Sequence, residues 1–148
     1  MNGASYTYME PAELVALLDS NNNNSDNNNT NNNVEKVAVV DCRDEDRRAG
    51  HICRSLHFPA AALSTPRLVA LAERLQRDGV AVAVFHCALS QVRGPRAAGR
   101  FAATLRDLGL SGPRVCVLRG GWEVFHAVYH DTRADLISYK YEEGEEED

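Results

Sequence analysis

The feature that most constrains the fold is an apolar run that leads directly into a histidine and a cysteine. Residues 80–85 carry no charge and no hydrogen-bonding side chain, and His86 and Cys87 follow at once. Gly94 and Pro95 then begin a segment of helical composition. An uninterrupted apolar run of this length, followed by a short loop and a helix start, is typical of a buried parallel strand. The run therefore predicts an α/β fold with the cysteine in the loop after a central strand.

The loop from Cys87 to Arg93 combines residue types suited to bind an oxyanion and to attack it. The positive end of the following helix favours a thiolate at Cys87, and backbone N–H groups around the loop can hold an anion. Arg93 is expected to fold back over the loop and bind two oxyanion oxygens with its guanidinium. A lone cysteine is more often an inert core residue, but the neighbouring His86, Ser90 and Arg93 favour a reactive thiol. The other loop residues are Ala88, Leu89, Gln91 and Val92.

The negative charge of the chain is concentrated near its carboxyl end. The 148 residues carry a net charge of −5, but residues 142–148 include six acidic residues, so residues 1–141 carry +1. No apolar run is long enough to span a membrane, and residues 1–5 lack the pattern of a signal peptide. Four irregularly spaced cysteines favour neither a disulfide framework nor a zinc site. We therefore expect a cytoplasmic protein without membrane association or bound metal.

The rest of the chain alternates predicted strands and helices. Strands are predicted at residues 6–8, 37–40, 55–59 and 114–118, and helices at 10–19, 66–77, 95–108 and after 121. This alternation predicts a single domain with a mainly parallel central sheet and helices on both faces. Arg96, Arg100 and Arg106 lack an aromatic stacking platform beside them, which argues against nucleic-acid binding.

Two segments fall outside this pattern. Residues 21–33 are asparagine except for one Ser, one Asp and one Thr. Such a segment has no apolar surface to bury, so we predict a disordered insert within the domain that spans residues 1–148. Residues 142–148 form a predicted acidic tail.

Three groups of residues together resemble the signatures of a single rhodanese domain. They are Asp41-Cys42-Arg43-Asp44 with Gly50-His51-Ile52, then His86-Cys87 with Arg93, and finally Leu118-Arg119-Gly120-Gly121-Trp122. The pattern His-Cys-x-x-Ser-x-x-Arg-x-Pro is similar to the loop of the eukaryotic arsenate reductases and of the mitosis-promoting dual-specificity phosphatases in that superfamily. The surrounding residues most resemble the trypanosomatid-like arsenate/antimonate reductases, and the likeness runs from Tyr6 to about Leu136.

The resemblance implies reduction of arsenate, and also of antimonate, through a cysteine–arsenic intermediate. Cys87 would attack the bound oxyanion, Arg93 would bind its oxygens, and glutathione with glutaredoxin would supply the electrons. The domain itself would need no metal or nucleotide. Ser90 is expected to hydrogen-bond the thiolate or the leaving oxygen, while His86 and Asp41 support the loop.

Cys42 matches the position of a second cysteine in the mitotic phosphatases. There it can form a disulfide with the nucleophile, so the resemblance makes Cys42 a candidate resolving thiol for Cys87. A buried free thiol fits the same residue equally well.

Two other enzymatic functions stay open. Five residues between cysteine and arginine is also the spacing of phosphotyrosine and dual-specificity phosphatases, which benefit from a general acid. The loop offers none, although Asp44, Glu45 or Glu123 could reach in from neighbouring loops. A thiosulfate sulfurtransferase is disfavoured because its loop is usually one residue shorter. A binding-only rhodanese domain is disfavoured because Cys87 and Arg93 are both present.

Overall fold

A five-stranded parallel sheet forms the centre of the protein in the computed structural model, which describes residues 6–24 and 34–140. The strands are β1 (Thr7–Met9), β2 (Val37–Asp41), β4 (Leu56–His57), β5 (Val82–His86) and β6 (Arg114–Leu118). They lie in the order β1-β6-β5-β2-β4, and each neighbouring pair is parallel. A separate antiparallel pair joins β3 (His51–Ile52) to β7 (Ile137–Ser138). The predicted mainly parallel sheet is confirmed, and its edge strand runs from Thr7 to Met9, one residue later than predicted.

Four α-helices cover the two faces of the sheet in the described part of the chain. They are α1 (Pro11–Asn24), α2 (Thr65–Arg77), α3 (Arg93–Asp107) and α4 (Gly121–Tyr129). Helices α2 and α3 pack on one face in a cluster that contains Phe85, whereas α1 and α4 pack on the other in a cluster that contains Val84. Successive side chains of a strand point to opposite faces. Because β5 is buried on both faces, its sequence is continuously apolar rather than alternating.

None of the helices in residues 6–24 and 34–140 has both the length and the hydropathy needed to cross a bilayer. Short 3-10 helices occupy Glu45–Ala49, Ala60–Ala62 and Ala134–Leu136. The first of these follows β2 and contributes to the site described below.

Helix α1 extends into the segment that the sequence predicts to be disordered. The predicted insert spans residues 21–33, yet the helix continues to Asn24. The side chain of Asn21 explains the extension, because it makes hydrogen bonds of 2.8 to 3.0 Å with the backbone of Leu17, Glu35 and Val37. These bonds tie the last turns of α1 to the residues that lead into β2. The rest of the predicted insert, and the predicted acidic tail, lie outside the described residues.

The loops after β2, β5 and β6 emerge at one edge of the sheet because these strands are parallel. Ligands of open parallel sheets bind at this edge. Asp41 pairs with His86 in the register of β2 and β5, and Cys42 N–H donates to His86 O at 2.7 Å. Cys42 therefore lies beside Cys87. Helix α3 begins at Arg93, two residues earlier than predicted, so Arg93 is a helical residue.

Candidate active site

Cys87 lies at the junction between β5 and the first turn of α3. It is only 3% exposed, and Gly94 N–H donates to its Sγ at 3.2 Å. This N–H lies at the positive end of the helix dipole. The close approach depends on glycine, because a Cβ on Gly94 would lie 3.1 Å from the backbone of His86 and 3.2 Å from Cys87 N. The structure thus places the thiol against the start of a helix.

The backbone of the loop presents donors while its first two carbonyl oxygens are held by α4. Trp122 N–H donates to Cys87 O at 3.0 Å, and Glu123 N–H donates to Ala88 O at 2.9 Å. Within the described ranges, no acceptor takes the backbone N–H of any residue from 88 to 93. Backbone N–H groups in folded proteins are nearly always paired. A run of unpaired donors beside a thiol is therefore suited to bind an anion.

Ser90 turns the chain in the middle of this loop. Its φ of 58° lies in the left-handed region, and the residue is buried. In the described structure its Oγ has no hydrogen-bond partner, so the predicted bond to the Cys87 thiolate is not formed. Sγ receives its hydrogen bond from Gly94 instead. Donation from Ser90 Oγ to a leaving oxygen stays a prediction.

The side chain of Arg93 makes its hydrogen bonds with two aspartates of the segment that follows β2. Its Nη1 and Nη2 donate to the two carboxylate oxygens of Asp46 at 3.1 and 2.9 Å, and Nη1 also donates to Asp44 Oδ2 at 3.3 Å. We call Asp44 and Asp46 the aspartate clasp. The hydrogen bond with Asp46 is the main reason that the pKa of Arg93 is raised, so the guanidinium stays charged. Sequence reasoning missed the clasp because the pairing of β2 with β5 decides which carboxylates face Arg93.

Four ionisable side chains are buried together beneath the loop. Asp41, Arg43, Arg47 and His86 are all nearly inaccessible to solvent. Arg43 donates to both oxygens of Asp41, from Nε at 3.1 Å and from Nη2 at 2.8 Å, and Arg47 Nε lies 3.2 Å from Asp41 Oδ2. Burial would raise the pKa of Asp41, but the interaction with the His86 ring and the hydrogen bonds and charge of Arg43 outweigh burial and lower the pKa to about 2. Arg43 also stacks over Trp122 at 4.7 Å, which links the cluster to α4.

His86 supports the loop from inside the sheet. Its Nδ1 lies 3.1 Å from Cys87 O, and its Nε2 lies 3.8 Å from Asp41 Oδ2. A carbonyl oxygen can only accept, so Nδ1–H is the donor in this pair. Burial lowers the pKa of His86, which keeps the ring neutral near pH 7. The ring and Trp122 N–H thus hold the same carbonyl, and the geometry suits an orienting role better than proton transfer.

Comparison with known proteins places this arrangement in a family. The Rhodanese-like domain family matches residues 13–128, well over half of the chain. The chain belongs to the rhodanese family. This rhodanese domain is similar to the CDC25-like phosphatase YCH1 of Saccharomyces cerevisiae, with 38% identity over 112 residues that cover 71% of this chain and 76% of that protein. It is also 38% identical to arsenate reductase 2.1 of Oryza sativa subsp. japonica over 70% of this chain and 55% of that protein.

Solved structures show the same two kinds of relative. The As-Sb reductase from Leishmania major superposes with a TM-score of 0.81 at 41% identity, over 95% of this rhodanese domain and 90% of that chain. Ygr203w of Saccharomyces cerevisiae, described as a homolog of single-domain rhodanese and the Cdc25 phosphatase catalytic domain, superposes with a TM-score of 0.76 at 32% identity, over 93% and 90%. The predicted rhodanese fold and the predicted relation to arsenate reductases and Cdc25-like phosphatases are confirmed.

Cys42 is a buried thiol beside the nucleophile candidate of this rhodanese domain. Burial, followed by the charges of Asp41 and Cys87, raises the pKa of Cys42 well above its ordinary value. All four cysteines of the chain are free. The thiol is therefore protonated in the resting protein, and its role in resolving an oxidised Cys87 stays a prediction.

Gly121 carries a stability prediction for this rhodanese domain, because it lets α4 approach the loop. Its φ is 60°, and a Cβ there would lie 2.5 Å from Cys87 O and 2.7 Å from Ala88 O. Gly121→Ala is expected to destabilise the fold by about 2–4 kcal/mol through backbone strain and the clash. Urea denaturation measures the loss. Gly79→Ala is the control, since Gly79 has a φ of 71° but a Cβ there would meet no atom within 4 Å. Equal losses at both sites would contradict the steric part of the argument.

Acid is expected to destabilise this rhodanese domain in two steps. Burial lowers the pKa of His86 below 6.5, so the unfolded chain takes up a proton that the folded chain resists, and stability falls as the pH drops below about 6.5. Asp41 has a pKa of about 2 instead of 3.8, so its stabilising effect is present above 3.8 and is lost as the pH falls towards 2. Urea midpoints measured from pH 8 to pH 2 test this, and a midpoint that rises on acidification would contradict it.

Proposed function

We propose that this rhodanese domain reduces arsenate, and antimonate as a second substrate, with Cys87 as nucleophile and glutathione as reductant. The likeness to the As-Sb reductase, at 41% identity over 95% of the chain, carries the proposal. The unpaired N–H groups of residues 88–93 support it, because they form an anion site of the kind that a tetrahedral oxyanion needs. The substrate is thus a small inorganic oxyanion, and the domain requires no resident metal or nucleotide.

The chemistry proceeds by attack of sulfur on the pentavalent centre. The Cys87 thiolate forms an S–As bond while an As–O bond breaks, and the oxygen leaves as water after protonation. Glutathione thiolate then attacks the sulfur of Cys87. The electron pair of the S–As bond passes to arsenic, which leaves as trivalent arsenite, and a disulfide joins Cys87 to glutathione. A second glutathione, assisted by glutaredoxin, restores the thiol and yields oxidised glutathione.

A protein phosphatase is the second candidate, and specific relatives favour it. Besides YCH1, the dual specificity phosphatase Cdc25 of Arabidopsis thaliana is 37% identical over 59% of this chain and 62% of that protein. The carboxylates nearest to Arg93 are poorly suited to donate a proton, however. Asp44 accepts hydrogen bonds from Arg93 and from Ala61 N–H, and the hydrogen bond from Arg93 outweighs burial to lower the pKa of Asp46. This supports reduction over phosphate ester hydrolysis, which gains from a general acid.

A paired assay on one purified sample tests the proposal. Arsenate-dependent NADPH oxidation is measured with glutathione, glutaredoxin and glutathione reductase, beside hydrolysis of p-nitrophenyl phosphate. We expect arsenate turnover to exceed phosphate release, and omission of glutaredoxin to slow it. The opposite ratio would identify a phosphatase and direct the search for its proton donor to Glu123, whose position beside the loop leaves it exposed.

A further inference from the structure

We propose that Asp46, together with Asp44, sets the oxyanion affinity of the site by competing for Arg93. In this inference the aspartate clasp occupies the end of the guanidinium that an oxyanion would use, and the anion must displace it. The inference rests on the proposed function only in taking Arg93 as an oxyanion ligand. It makes Asp46 a residue that acts through Arg93 rather than one that touches the reacting atoms.

The contacts occupy the terminal nitrogens of the guanidinium. Asp46 accepts from Nη1 and Nη2 with one carboxylate oxygen each, at 3.1 and 2.9 Å, in the paired geometry that Arg93 would offer an arsenate or phosphate ion. Nη1 is shared with Asp44 Oδ2 at 3.3 Å. The Asp46 carboxylate and an oxyanion cannot accept from the same N–H groups of Nη1 and Nη2 at once. Binding of the anion through this end of Arg93 therefore requires release of the clasp.

The clasp is held in place by bonds that do not involve Arg93. Asp44 N–H donates to Asp46 Oδ1 at 2.9 Å, and Ala61 N–H donates to Asp44 Oδ1 at 3.0 Å. The carboxylates are thus positioned by their own backbone and by the neighbouring 3-10 helix. Because these bonds do not depend on Arg93, the two carboxylates can keep their positions when Arg93 releases them. Arg93 therefore has two alternative partners, the aspartate clasp and a bound oxyanion.

Arg93 belongs to the segment that would bind the anion. It is the first residue of α3 and directly precedes Gly94, whose N–H donates to Cys87 Sγ at 3.2 Å. The side chain of Arg93 is 29% exposed, and the carboxylates of Asp44 and Asp46 are 35% and 43% exposed. A partly exposed ion pair is weak enough to exchange partners. The clasp therefore reduces the fraction of binding-competent protein without blocking the site, and the apparent dissociation constant rises in inverse proportion to that fraction.

The test measures anion binding without turnover. Arsenate is titrated by calorimetry into Cys87→Ser protein with and without Asp46→Asn. We expect Asp46→Asn to tighten arsenate binding about three- to tenfold, because it removes the carboxylate that competes with arsenate for Arg93. Asp46→Glu keeps a carboxylate and should return the affinity towards that of the parent. In an Arg93→Ala background Asp46→Asn should have no effect beyond that of the control below, since nothing is left to compete for.

Glu45→Gln is the matched control. It removes one negative charge from the same 3-10 helix, and Glu45 makes no bond to Arg93 among the described contacts. If Glu45→Gln and Asp46→Asn tightened arsenate binding equally, the cause would be the general loss of negative charge. That result would overturn the proposed competition for Arg93. Weaker binding in Asp46→Asn would also overturn it, because Asp46 would then position Arg93 for the anion. Absence of arsenate binding in every protein would overturn the proposed function itself, and the inference with it.

Discussion

Exchange of Cys87 for serine is expected to abolish arsenate reduction, with a loss of more than about a thousandfold in turnover. A hydroxyl is a poor nucleophile at neutral pH, and it could not form the disulfide through which glutathione would deliver electrons in the proposed mechanism. The anion site should survive, because it is built from backbone N–H groups and from Arg93 rather than from the thiol. The coupled NADPH assay measures turnover, and calorimetry with arsenate checks that binding remains.

Cys53→Ser is the matched control for this loss. Cys53 is half-buried, and its Sγ donates to Asp135 O at 3.5 Å, away from the loop. The same exchange of sulfur for oxygen should therefore leave turnover almost unchanged. Substantial activity in Cys87→Ser protein would mean that another group attacks the substrate, and the assignment of the nucleophile would have to be abandoned.

Asp41→Asn is expected to produce the largest loss of stability. The change removes the carboxylate that pairs with Arg43 and lies 3.2 Å from Arg47 Nε, and it leaves the buried guanidinium of Arg43 without its ion-pair partner. Removal of one partner from a buried ion pair costs about 3–5 kcal/mol. A domain of this size is stable by only about 5–15 kcal/mol. We expect a variant that is close to unfolding at room temperature, measured as a large fall in the urea midpoint.

The exposed pair of Arg74 and Asp78 provides the comparison. These side chains are 44% and 48% exposed, and their charged atoms are 3.9 Å apart. Asp78→Asn should change stability by less than about 0.5 kcal/mol, because water screens the pair. If Asp41→Asn were as mild as Asp78→Asn, the buried cluster would not be a main support of the loop.

The central part of the fold could be predicted because its signals are local. The apolar run of residues 80–85 indicates a strand buried on both faces, and Gly94 and Pro95 mark the start of a helix. Their order along the chain is sufficient to place Cys87 between them. The strand must be apolar at every position because Val84 packs into the cluster on one face of the sheet and Phe85 into the cluster on the other.

The parts that could not be predicted depend on contacts between distant residues. Asn21 belongs to a polar run that looks disordered, but its bonds to Glu35 and Val37 complete a helix. Arg93 has the spacing of an anion ligand, but its resting partners are carboxylates 47 and 49 residues earlier in the chain. Spacing within a motif reports local geometry, whereas the choice of partner depends on the register of the sheet.

The division of the loop between backbone and side chains affects how the protein can change over evolutionary time. The anion donors are main-chain groups, fixed by α4 and His86 and independent of the side chains that they carry. Leu89 and Val92 are 50% and 69% exposed at the rim of the same loop. Mutations at these two positions are expected to change the outer surface of the loop while the fold and the backbone N–H groups stay intact. The exposed side chains of the loop can therefore vary between related proteins while the fold is retained.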